Sequence, residues 1–556
     1  MFKQFGFVSA SILHLSLICT YAQESGAGCQ HVYPTTSTPV SPGKRDHEQL
    51  PLLPGKPPVE VPPLDVLPLV LSGPSDNRVD LVFFSDGYLA SEQTKFLEDA
   101  RRLAEDVTRN QTFYAVKPLL NFWAAFSPSN ESEAFQRNSN LSFSFLLHST
   151  PFGLYRDGTE LRAVYYSKPK VARAACDSLG SGCDYPILLG NDPLYGGLGG
   201  RFTVITSSYL NGPLVLRHEL GHSIINVGEE YDGAYGYSGV NSGYNSSTKS
   251  DLPWKQWLTN PSQKGEQYRV ERSVMLFQGY PWTMLNTTTA WKVQFRSSGS
   301  YSRYLVKFSL SGIPEKSNLK VELDGNDLGW EPEPIVGLDR WHYDIHRSEH
   351  LSAGVHELTF TLNEPSLEGV AQLCSAEVLE FGDESEFVSK PGHYSLYPTF
   401  SMNNETSYRP TNQDCLMRTV TKPNFCKACM EGLWINLLKR IHLIEGITES
   451  CAEVQHHPES GKDFYEKILE LQLVPLAHLR VDGSNLAEEE NESYTVLWSK
   501  DGEDLPEYTN KTSLRINSAH SVGNYSVHVQ FSTDAVRKAH RALGGTLDHQ
   551  ILSPCS

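Results

Sequence analysis

Long hydrophobic runs are scarce in this sequence of 556 residues, which bears on membrane attachment. One apolar run, at residues 5–18, is too short to span a bilayer comfortably and is interrupted by His14. No other apolar stretch reaches spanning length, and the C-terminal residues HQILSPCS lack the hydrophobic tail of a lipid-anchor signal. We therefore expect a protein without a membrane anchor.

Concentrated positive charge is also lacking. The sequence has 47 Lys and Arg against 65 Asp and Glu, so its net charge is −18. Without a basic segment, the sequence offers no electrostatic site for nucleic acid or for an anionic membrane. A phosphate loop is missing as well, because no Gly-Lys-Ser/Thr follows the glycine-rich residues 192–200.

The first residues have the pattern of a secretory signal peptide. Lys3 supplies a positive start, an apolar run follows, and Thr20-Tyr21-Ala22 resembles a small-residue cleavage site, so we expect a signal peptide at residues 1–22. Ten cysteines are present, and nine remain once Cys19 is removed, which suits disulfides in an oxidising compartment. The Asn-x-Ser/Thr triplets that accept N-glycans begin at Asn110, Asn130, Asn140, Asn245, Asn286, Asn404, Asn491, Asn510 and Asn524. These features predict a secreted, extracellular glycoprotein with disulfide bonds.

The length of the chain and the changes in residue pattern along it predict several domains, because one hydrophobic core does not extend over so many residues. Residues 23–75 are dense in proline and suit neither a helix nor a central strand, so we expect a linker or a pro-segment. Across residues 76–289, strand-like runs alternate with a helical pattern, which indicates an α/β domain. Residues 290–385 have the short alternating runs of an inserted all-β, sandwich-like module, residues 386–450 return to the first domain, and residues 463–556 are β-rich.

The segment LRHELGHSIINVGEEY, at residues 216–231, contains the pattern His-Glu-x-x-His. His218 and His222 are four residues apart, so on a helix both imidazoles lie on one face and reach one Zn²⁺. Glu219 projects near them and is suited to deprotonating a water at the metal. A common form of the pattern has a third histidine ten residues after the first, but that position is Gly228 here.

Two glutamates that follow Gly228 are the candidates for the third ligand. Glycine allows the chain to turn back after the helix. Adjacent side chains of an extended segment point in opposite directions, so only one of Glu229 and Glu230 is expected to face the metal. A carboxylate with two histidines is a normal set for catalytic zinc and leaves a fourth position for water. The spacing alone leaves both glutamates open.

The segment and its surroundings resemble the IgA-specific metalloendopeptidase family of secreted zinc peptidases, whose motif runs roughly His-Glu-x-Gly-His-Ser-x-x-x-x-x-Asp-Glu-Tyr. Similar blocks are VDLVFFSDGY at 79–88, TPFGLYR at 150–156, CDYP at 183–186, NDPLYGG at 191–197, and CLMR at 415–418 followed by Cys426-x-x-Cys429. The resemblance covers roughly residues 75–450 apart from the β module, and the layout is similar to the fungal branch. It favours Glu230 as the third ligand, because Glu230 and Tyr231 match the family's Glu-Tyr whereas Glu229 replaces an Asp.

Several further residues are candidates for a role near the metal. Met417 of CLMR is similar to the methionine turn that supports the zinc in related peptidases, and Met275 is the alternative. Tyr231 and Tyr408 are candidates for donating a hydrogen bond to an oxyanion, although packing is the commoner role of tyrosine. Asp86 and Arg156 lie in blocks similar to the family, without an assigned chemical role.

The cysteines allow two interpretations. Cys415, Cys426, Cys429 and Cys451 suit either a second zinc site or disulfides, and a secreted location favours disulfides. Cys176 and Cys183 are close enough in sequence to bridge each other.

Together these features predict an α/β zinc-peptidase catalytic domain with an inserted all-β, sandwich-like module and a C-terminal β-rich domain. The predicted activity is hydrolysis of peptide bonds in a protein or peptide substrate, with Zn²⁺ on His218, His222 and Glu230 and with Glu219 as general base and then general acid. Two alternatives stay open. One is a zinc amidase or deacetylase, and the other is an extracellular glycan- or protein-binding protein with a structural or idle zinc site.

Overall fold

The computed structural model describes residues 59–109, 111–132, 149–156, 158, 160–233, 238–244, 252–261, 268–401, 403, 405–457, 462–481 and 486–555. The predicted signal peptide, most of the predicted proline-rich segment and the glycosylation triplets at Asn110, Asn140, Asn245 and Asn404 lie outside these residues. Within the described part of the chain, no helix combines the length and the apolar character needed to cross a membrane.

The N-terminal part is built from a mixed sheet with helices packed on it. Its strands are β1 (Asp65–Val70), β2 (Val79–Asp86), β3 (Leu120–Phe126), β4 (Leu154–Tyr155), β5 (Tyr165–Tyr166), β6 (Tyr185–Gly190), β7 (Gly197–Leu198) and β8 (Thr203–Thr206). Its helices are α1 (Gln93–Val107), α2 (Pro169–Asp177) and α3 (Gly212–Ile224). Six strands form one sheet in the order β1-β3-β2-β6-β8-β7, in which β3, β2, β6 and β8 run parallel and the two edge strands antiparallel.

The central strands are apolar on both faces because the sheet is covered on both sides. Every residue of β2, VDLVFFSD, is buried. The helix predicted at residues 91–107 is α1, whose buried residues recur at helical spacing and face the sheet. The disulfide expected between Cys176 and Cys183 is present beneath the other face of the sheet.

The proline-rich region contributes a strand, where the sequence predicted a linker or pro-segment. β1 lies at the edge of the sheet and pairs with β3, and its pairing shifts register between Pro68 and Val70. Proline has no N–H to donate, so an edge strand with an irregularity tolerates it where a central strand does not.

The middle of the chain forms two antiparallel sheets. Their strands are β9 (Ser273–Gly279), β10 (Thr283–Met284), β11 (Trp291–Ser297), β12 (Arg303–Ser311), β13 (Leu319–Leu323), β14 (Asn326–Asp327), β15 (Arg340–Arg347), β16 (Gly354–Leu362) and β17 (Gln372–Phe381). One sheet has the order β10-β17-β12-β15 with β9 paired to β17, and the other has the order β11-β16-β13-β14. They share one apolar core, in which the rings of Phe308 and Phe360 from opposite sheets lie 5.2 Å apart.

The remaining chain adds a hairpin, a helix and two further sheets. The elements are β18 (Tyr397–Phe400), β19 (Thr406–Arg409), α4 (Lys427–Leu438), β20 (Ile444–His457), β21 (Lys462–Leu473), α5 (Leu486–Glu489), β22 (Ser493–Lys500), β23 (Glu503–Asp504), β24 (Ser513–Asn517), β25 (Gly523–Ser532) and β26 (Gly544–Ile551). The two sheets have the orders β20-β21-β24 and β23-β22-β25-β26. A disulfide joins Cys451 to Cys555, 104 residues later. Trp434 of α4 contacts Phe531 of β25 with ring centroids 5.5 Å apart, so α4 packs against the C-terminal sheets.

Candidate metal centre

The helix α3 brings the two histidines of the motif together. Of its thirteen residues, nine are buried, because α3 lies between the main sheet, α1 and α4. His218 and His222 are one turn apart, and their Nε2 atoms lie 3.3 Å from each other. Both side chains are at least nine-tenths buried, with 9% and 4% of their surface exposed.

Backbone carbonyls fix the orientation of both imidazoles. The Nδ1 of His218 lies 3.2 Å from the carbonyl oxygen of Leu416, and the Nδ1 of His222 lies 3.2 Å from that of Val227. A carbonyl accepts only, so each Nδ1 carries the proton and donates it there. Nε2 is then the ring atom left to bind a metal in each histidine, once the metal displaces any proton that it shares with a neighbouring carboxylate.

Glu229 completes the group of side chains at this position. One carboxylate oxygen lies 3.0 Å from the Nε2 of His218, and the other lies 2.9 Å from the Nε2 of His222. The donor atoms of the three residues all lie within 4.8 Å of one another. Two imidazole nitrogens and a carboxylate are a normal donor set for catalytic zinc, so these residues fit the metal that the sequence predicts.

The structure differs from the sequence prediction at Glu230. This residue is fully buried and faces away from His218 and His222, towards Cys415, Cys426 and Cys429. The two neighbouring side chains lie on opposite sides of the segment, as they would in a strand, and Glu229 is on the side of the histidines. In the structure the carboxylate beside the two histidines is therefore that of Glu229, whereas Glu230, which the resemblance favoured as a ligand, lies in a separate group of side chains.

A buried asparagine holds the turn after α3. The side chain of Asn241 donates to the carbonyl of Gly228 and to the Oε1 of Glu230, each at 2.9 Å, and accepts from the N–H of Gly228 at 3.1 Å. Positive φ angles occur at Gly233 and Gly239 in this region but not at Gly228. The chain therefore returns to the histidines through the Asn241 hydrogen bonds, without the special backbone conformation expected of Gly228.

The glycine-rich loop passes over Glu219. A Cβ added to Gly199 would lie 2.7 Å from the Oε2 of Glu219 and 2.7 Å from the Cβ of His222. A Cβ added to Gly197 would lie 3.1 Å from the Oε1 of Glu219. Only residues without a side chain let the loop approach this closely. The glycine-rich loop, which has no phosphate-binding pattern, thus forms one wall of the metal centre.

The electrostatics of the site favour a cation. Burial alone would lower the pKa values of His218 and His222, but the Glu229 carboxylate outweighs burial and raises both, that of His218 to about 9. Burial would raise the pKa of Glu229, yet the two imidazoles hold it far below its ordinary value. Burial raises the pKa of Glu219. A site that draws protons onto its imidazoles suits a divalent cation, whose binding would displace those protons.

The CLMR segment lies beneath the metal group. Leu416 supplies the carbonyl that accepts from His218, and the carbonyl of Met417 accepts from the N–H of Glu230 at 3.0 Å. The Met417 sulfur lies 3.2 Å from where a Cβ on Gly221 of α3 would be, so it packs on the helix between the two histidines. Met275, the alternative methionine, lies on β9 in another sheet.

A buried ion pair ties the CLMR segment to the chain that follows the two glutamates. The guanidinium of Arg418 lies 2.6 Å from the carboxylate of Asp232, and neither side chain is exposed. Arg418 also donates to the carbonyl of Glu230 at 2.8 Å. No feature of the sequence near residue 232 pointed to this pairing, because its partner is 186 positions away.

Two tyrosines are close enough to the site for the charges of its glutamates to act on them. Burial raises the pKa of Tyr195 to about 12, and the charges of Glu219 and Glu229 act on it in the same direction, so its hydroxyl stays protonated. Burial likewise raises the pKa of Tyr231 well above its ordinary value, with Glu229 as the next contributor. Tyr408, in contrast, is on β19 and pairs through its backbone with Gly243. Tyr195 was not singled out from the sequence, because only its place in the NDPLYGG block of the glycine-rich loop marks it.

Asp86 and Arg156 position loops that surround the centre. The Asp86 carboxylate accepts from the backbone N–H groups of Phe152 and Leu154 at 2.7 and 2.8 Å. Arg156 pairs with Asp192 at 3.0 Å, at the start of the glycine-rich loop. Asp86 therefore holds the backbone of one loop, and Arg156 holds the other through Asp192 and the carbonyl of Leu194, so both residues are structural.

The two antiparallel sheets formed by β9–β17 also contact the start of α3. The Asp339 carboxylate accepts from Ser208 at 2.7 Å and from the Asn211 amide at 2.9 Å, at the N-terminus of α3. It also accepts from the N–H of Tyr195 at 2.5 Å. One buried carboxylate thus joins the β sheets, the glycine-rich loop and the start of α3.

Comparison with known proteins bears on the same residues. The model of the family described as IgA Peptidase M64 matches residues 67–291, which include α3 and both glutamates. The resemblance predicted from the sequence is confirmed. The IgA Peptidase M64 match supports a metallopeptidase function and says nothing of a fungal branch. No curated protein matches the chain.

Solved structures add little to this match. An FMN-binding beta-glucuronidase from Facaelibacterium prausnitzii L2-6 is 11% identical, with 49% of this chain and 33% of that chain covered and a TM-score of 0.13. A GH2 beta-galacturonidase from Eisenbergiella tayi is 7% identical, with 52% and 44% covered and a TM-score of 0.10. The chain spans less than half of either protein, and at these TM-scores the likeness carries no argument about fold or activity.

Proposed function

We propose that this protein is a secreted, zinc-dependent endopeptidase that hydrolyses peptide bonds in protein substrates. The observation that carries the proposal is the convergence of the two imidazole Nε2 atoms and the Glu229 carboxylate, with Glu219 beside them. His218, His222 and Glu229 would hold the metal. When bound, Zn²⁺ supplies Lewis acidity, which lowers the pKa of a water and polarises the scissile carbonyl.

Glu219 is the general base and then the general acid of this proposal. It follows His218 on α3 but is not part of the group of donor atoms around Glu229. Its raised pKa, caused by burial, brings the carboxylate nearer to the range in which it accepts a proton from water and returns it to the leaving amine nitrogen. The wall formed by Gly197 and Gly199 keeps this carboxylate from swinging away from the histidines.

Two tyrosines are suited to the developing oxyanion. Tyr195 and Tyr231 both have pKa values raised by burial, so each keeps a proton to donate. A neutral donor that is aimed at an oxyanion in a water-poor site stabilises the transition state.

Secretion and substrate class rest on separate grounds. The two disulfides, Cys176–Cys183 and Cys451–Cys555, are stable in an extracellular, oxidising environment. Nothing in the residues around the metal centre selects immunoglobulin A, so the proposed substrate class is protein in general.

Substrate profiling with and without a chelator tests the proposal. The purified protein should cleave a subset of a broad peptide library, lose cleavage when a zinc chelator is added, and regain it with Zn²⁺. Cleavage that persists after complete zinc removal, or no cleavage of any peptide by the zinc-loaded protein, would contradict it.

A further inference from the structure

Three cysteines and a glutamate form a second buried group, on the other side of the segment that carries Glu229. Cys415, Cys426 and Cys429 are 0%, 3% and 0% exposed, and Glu230 is 0% exposed. The three sulfurs and a carboxylate oxygen of Glu230 lie within 4.8 Å of one another. None of the three cysteines is in a disulfide. The mechanism proposed above uses none of these side chains.

We propose that Cys415, Cys426, Cys429 and Glu230 form a structural metal site that binds Zn²⁺. The Sγ atom of Cys429 lies 3.8 Å from that of Cys415 and 3.8 Å from that of Cys426. A tetrahedron with metal–sulfur bonds of about 2.3 Å has edges of about 3.8 Å. The sulfur spacing is therefore that of a tetrahedral thiolate site.

The carboxylate of Glu230 supplies an independent argument. Its Oε1 accepts from Asn241 at 2.9 Å, but its Oε2 is buried and has no hydrogen-bond partner in the described part of the chain. A buried carboxylate oxygen without a partner has lost its hydrogen bonds to water and gained none in return, so native proteins rarely leave one. A cation among the three sulfurs removes this cost.

A disulfide is the competing explanation, and it is the one that the secreted location favoured. It accounts for the cluster less well. Cys451, the fourth cysteine considered for this group, is bonded to Cys555 instead. Three cysteines remain at one place, so any bridge between two of them leaves the third buried and unpaired beside a buried carboxylate. A metal ion would bind all three thiolates and the Glu230 carboxylate.

The surroundings moderate the negative charge of such a site. Cys426 is the N-cap of α4 and Cys429 lies in its first turn, where backbone N–H groups stabilise thiolates. The N–H of Cys426 lies 3.4 Å from the sulfur of Cys415. Arg409 and Arg418 are close enough for their charges to act on Glu230. Binding would release the thiol protons.

A metal at this position would brace the catalytic centre. With four protein ligands the site has no open coordination position, so its role is structural. It would join α4 to the CLMR segment, whose Leu416 carbonyl orients His218, and to Glu230, whose neighbour Glu229 faces the histidines. The adjacent glutamates then serve two metals on opposite sides of one segment.

Cobalt substitution tests this proposal separately from the peptidase proposal. Thiolate ligands give Co²⁺ a charge-transfer absorption in the near ultraviolet, and the histidine–carboxylate centre contains no sulfur. The metal-depleted full-length protein, loaded with Co²⁺, should show this band. A Cys429→Ser variant should lose it and bind one metal fewer per chain. The matched control is Cys374→Ser, which removes a buried, unpaired cysteine on β17 and should leave band and metal count unchanged.

The outcomes are distinct even if Cys429→Ser fails to fold, because the wild-type protein alone decides between metal and disulfide. Two zinc ions per chain, with Cys415, Cys426 and Cys429 all alkylated after denaturation with a chelator and without reductant, support the site. A disulfide among the three cysteines, or cobalt-loaded protein without the charge-transfer band, overturns it. If the cobalt-loaded wild type shows the band but the zinc-loaded wild type hydrolyses no peptide, the structural site is supported and the peptidase proposal is contradicted.

Discussion

Glu229 and Glu230 are neighbours in sequence but lie in different environments. Glu229 contacts both histidines, whereas Glu230 is enclosed with three cysteines and Asn241. Strand alternation predicted that only one of them would face the histidines. Which one does so depends on Asn241 and on the segments around residues 415–429, and these contacts are formed by tertiary packing. Resemblance to a motif favoured Glu230 because it compares residue types, not the direction of side chains.

Replacing each glutamate in turn tests this assignment. Glu229→Gln should weaken zinc binding at the histidines by more than the roughly 100-fold that loss of a supporting residue causes, because a charged ligand is lost. Hydrolysis at limiting zinc should fall with it. Glu230→Gln is the matched control, since it should retain histidine-bound zinc when zinc is in excess. Competition with a coloured chelator measures the affinity, and a loss of histidine-bound zinc in Glu230→Gln alone would contradict the assignment.

At the scale of elements, two segments outside the motif shape the centre. The glycine-rich loop at 192–200 and the CLMR segment at 415–418 both contact α3 or its side chains. The sequence predicted α3 and the strands of the parallel sheet, because period and apolar runs are local signals. No function was predicted for the glycine-rich loop. Its glycines allow a close approach of the backbone to a side chain, but they do not show which side chain that is.

Gly199→Ala should disturb catalysis without unfolding the protein. The added methyl group would lie 2.7 Å from the Glu219 carboxylate, so the loop or the base must move. A shift of this kind costs on the order of 100-fold in kcat/KM when the reacting groups lose alignment. Gly182→Ala is the control, because a Cβ there meets no atom within 4 Å. Equal kcat/KM for Gly199→Ala and the wild type would show that the loop does not confine Glu219.

The Arg418–Asp232 pair should contribute strongly to stability. Arg418→Met leaves a fully buried carboxylate without its partner, which costs about 3–5 kcal/mol in the free energy of unfolding. Glu331→Gln, which breaks the exposed pair with Lys316, should leave the unfolding free energy nearly unchanged. Denaturant titration of both variants compares the two pairs. A loss in Arg418→Met no greater than that in Glu331→Gln would show that the buried pair is not required.

At the scale of the whole molecule, distant parts of the chain meet around one centre. The family match ends at residue 291, yet Leu416 contacts His218 and Arg418 contacts the carbonyl of Glu230. β1 extends the sheet into the proline-rich region, and Cys451 pairs with Cys555 rather than with the nearer cysteines. Such long-range pairings have no local signal in one sequence, whereas the bridge between Cys176 and Cys183 spans only seven positions and was expected.

The stability of the two antiparallel sheets formed by β9–β17 should respond to pH through His356 on β16. Its Nδ1 lies 2.6 Å from Asp324 and its Nε2 lies 2.9 Å from the carbonyl of Ser352, so only the protonated ring donates to both. Burial lowers the pKa of His356, but Asp324 and Ser352 outweigh burial and raise it. The stabilisation is therefore complete below the unfolded value of about 6.5 and is lost as pH rises through the higher folded pKa.

Asp324→Asn isolates this contribution, because asparagine also tolerates the positive φ of this position. The difference in unfolding free energy between wild type and variant should be larger at about pH 6 than at about pH 9. A difference that stays constant or grows with pH would show that His356 is not protonated in the folded protein.

Glu219→Gln is the variant that tests the proposed activity most directly. Glutamine keeps the shape of the side chain but cannot accept the proton, and His218, His222 and Glu229 are unchanged. The decisive measurement is kcat/KM of the zinc-loaded variant on a peptide that the wild type cleaves, with the zinc content of both proteins determined in parallel. The account predicts equal zinc content and a loss of about 10²–10⁴-fold in kcat/KM. Equal kcat/KM for the two zinc-loaded proteins, or a wild type as inert as the variant on every peptide, would contradict it.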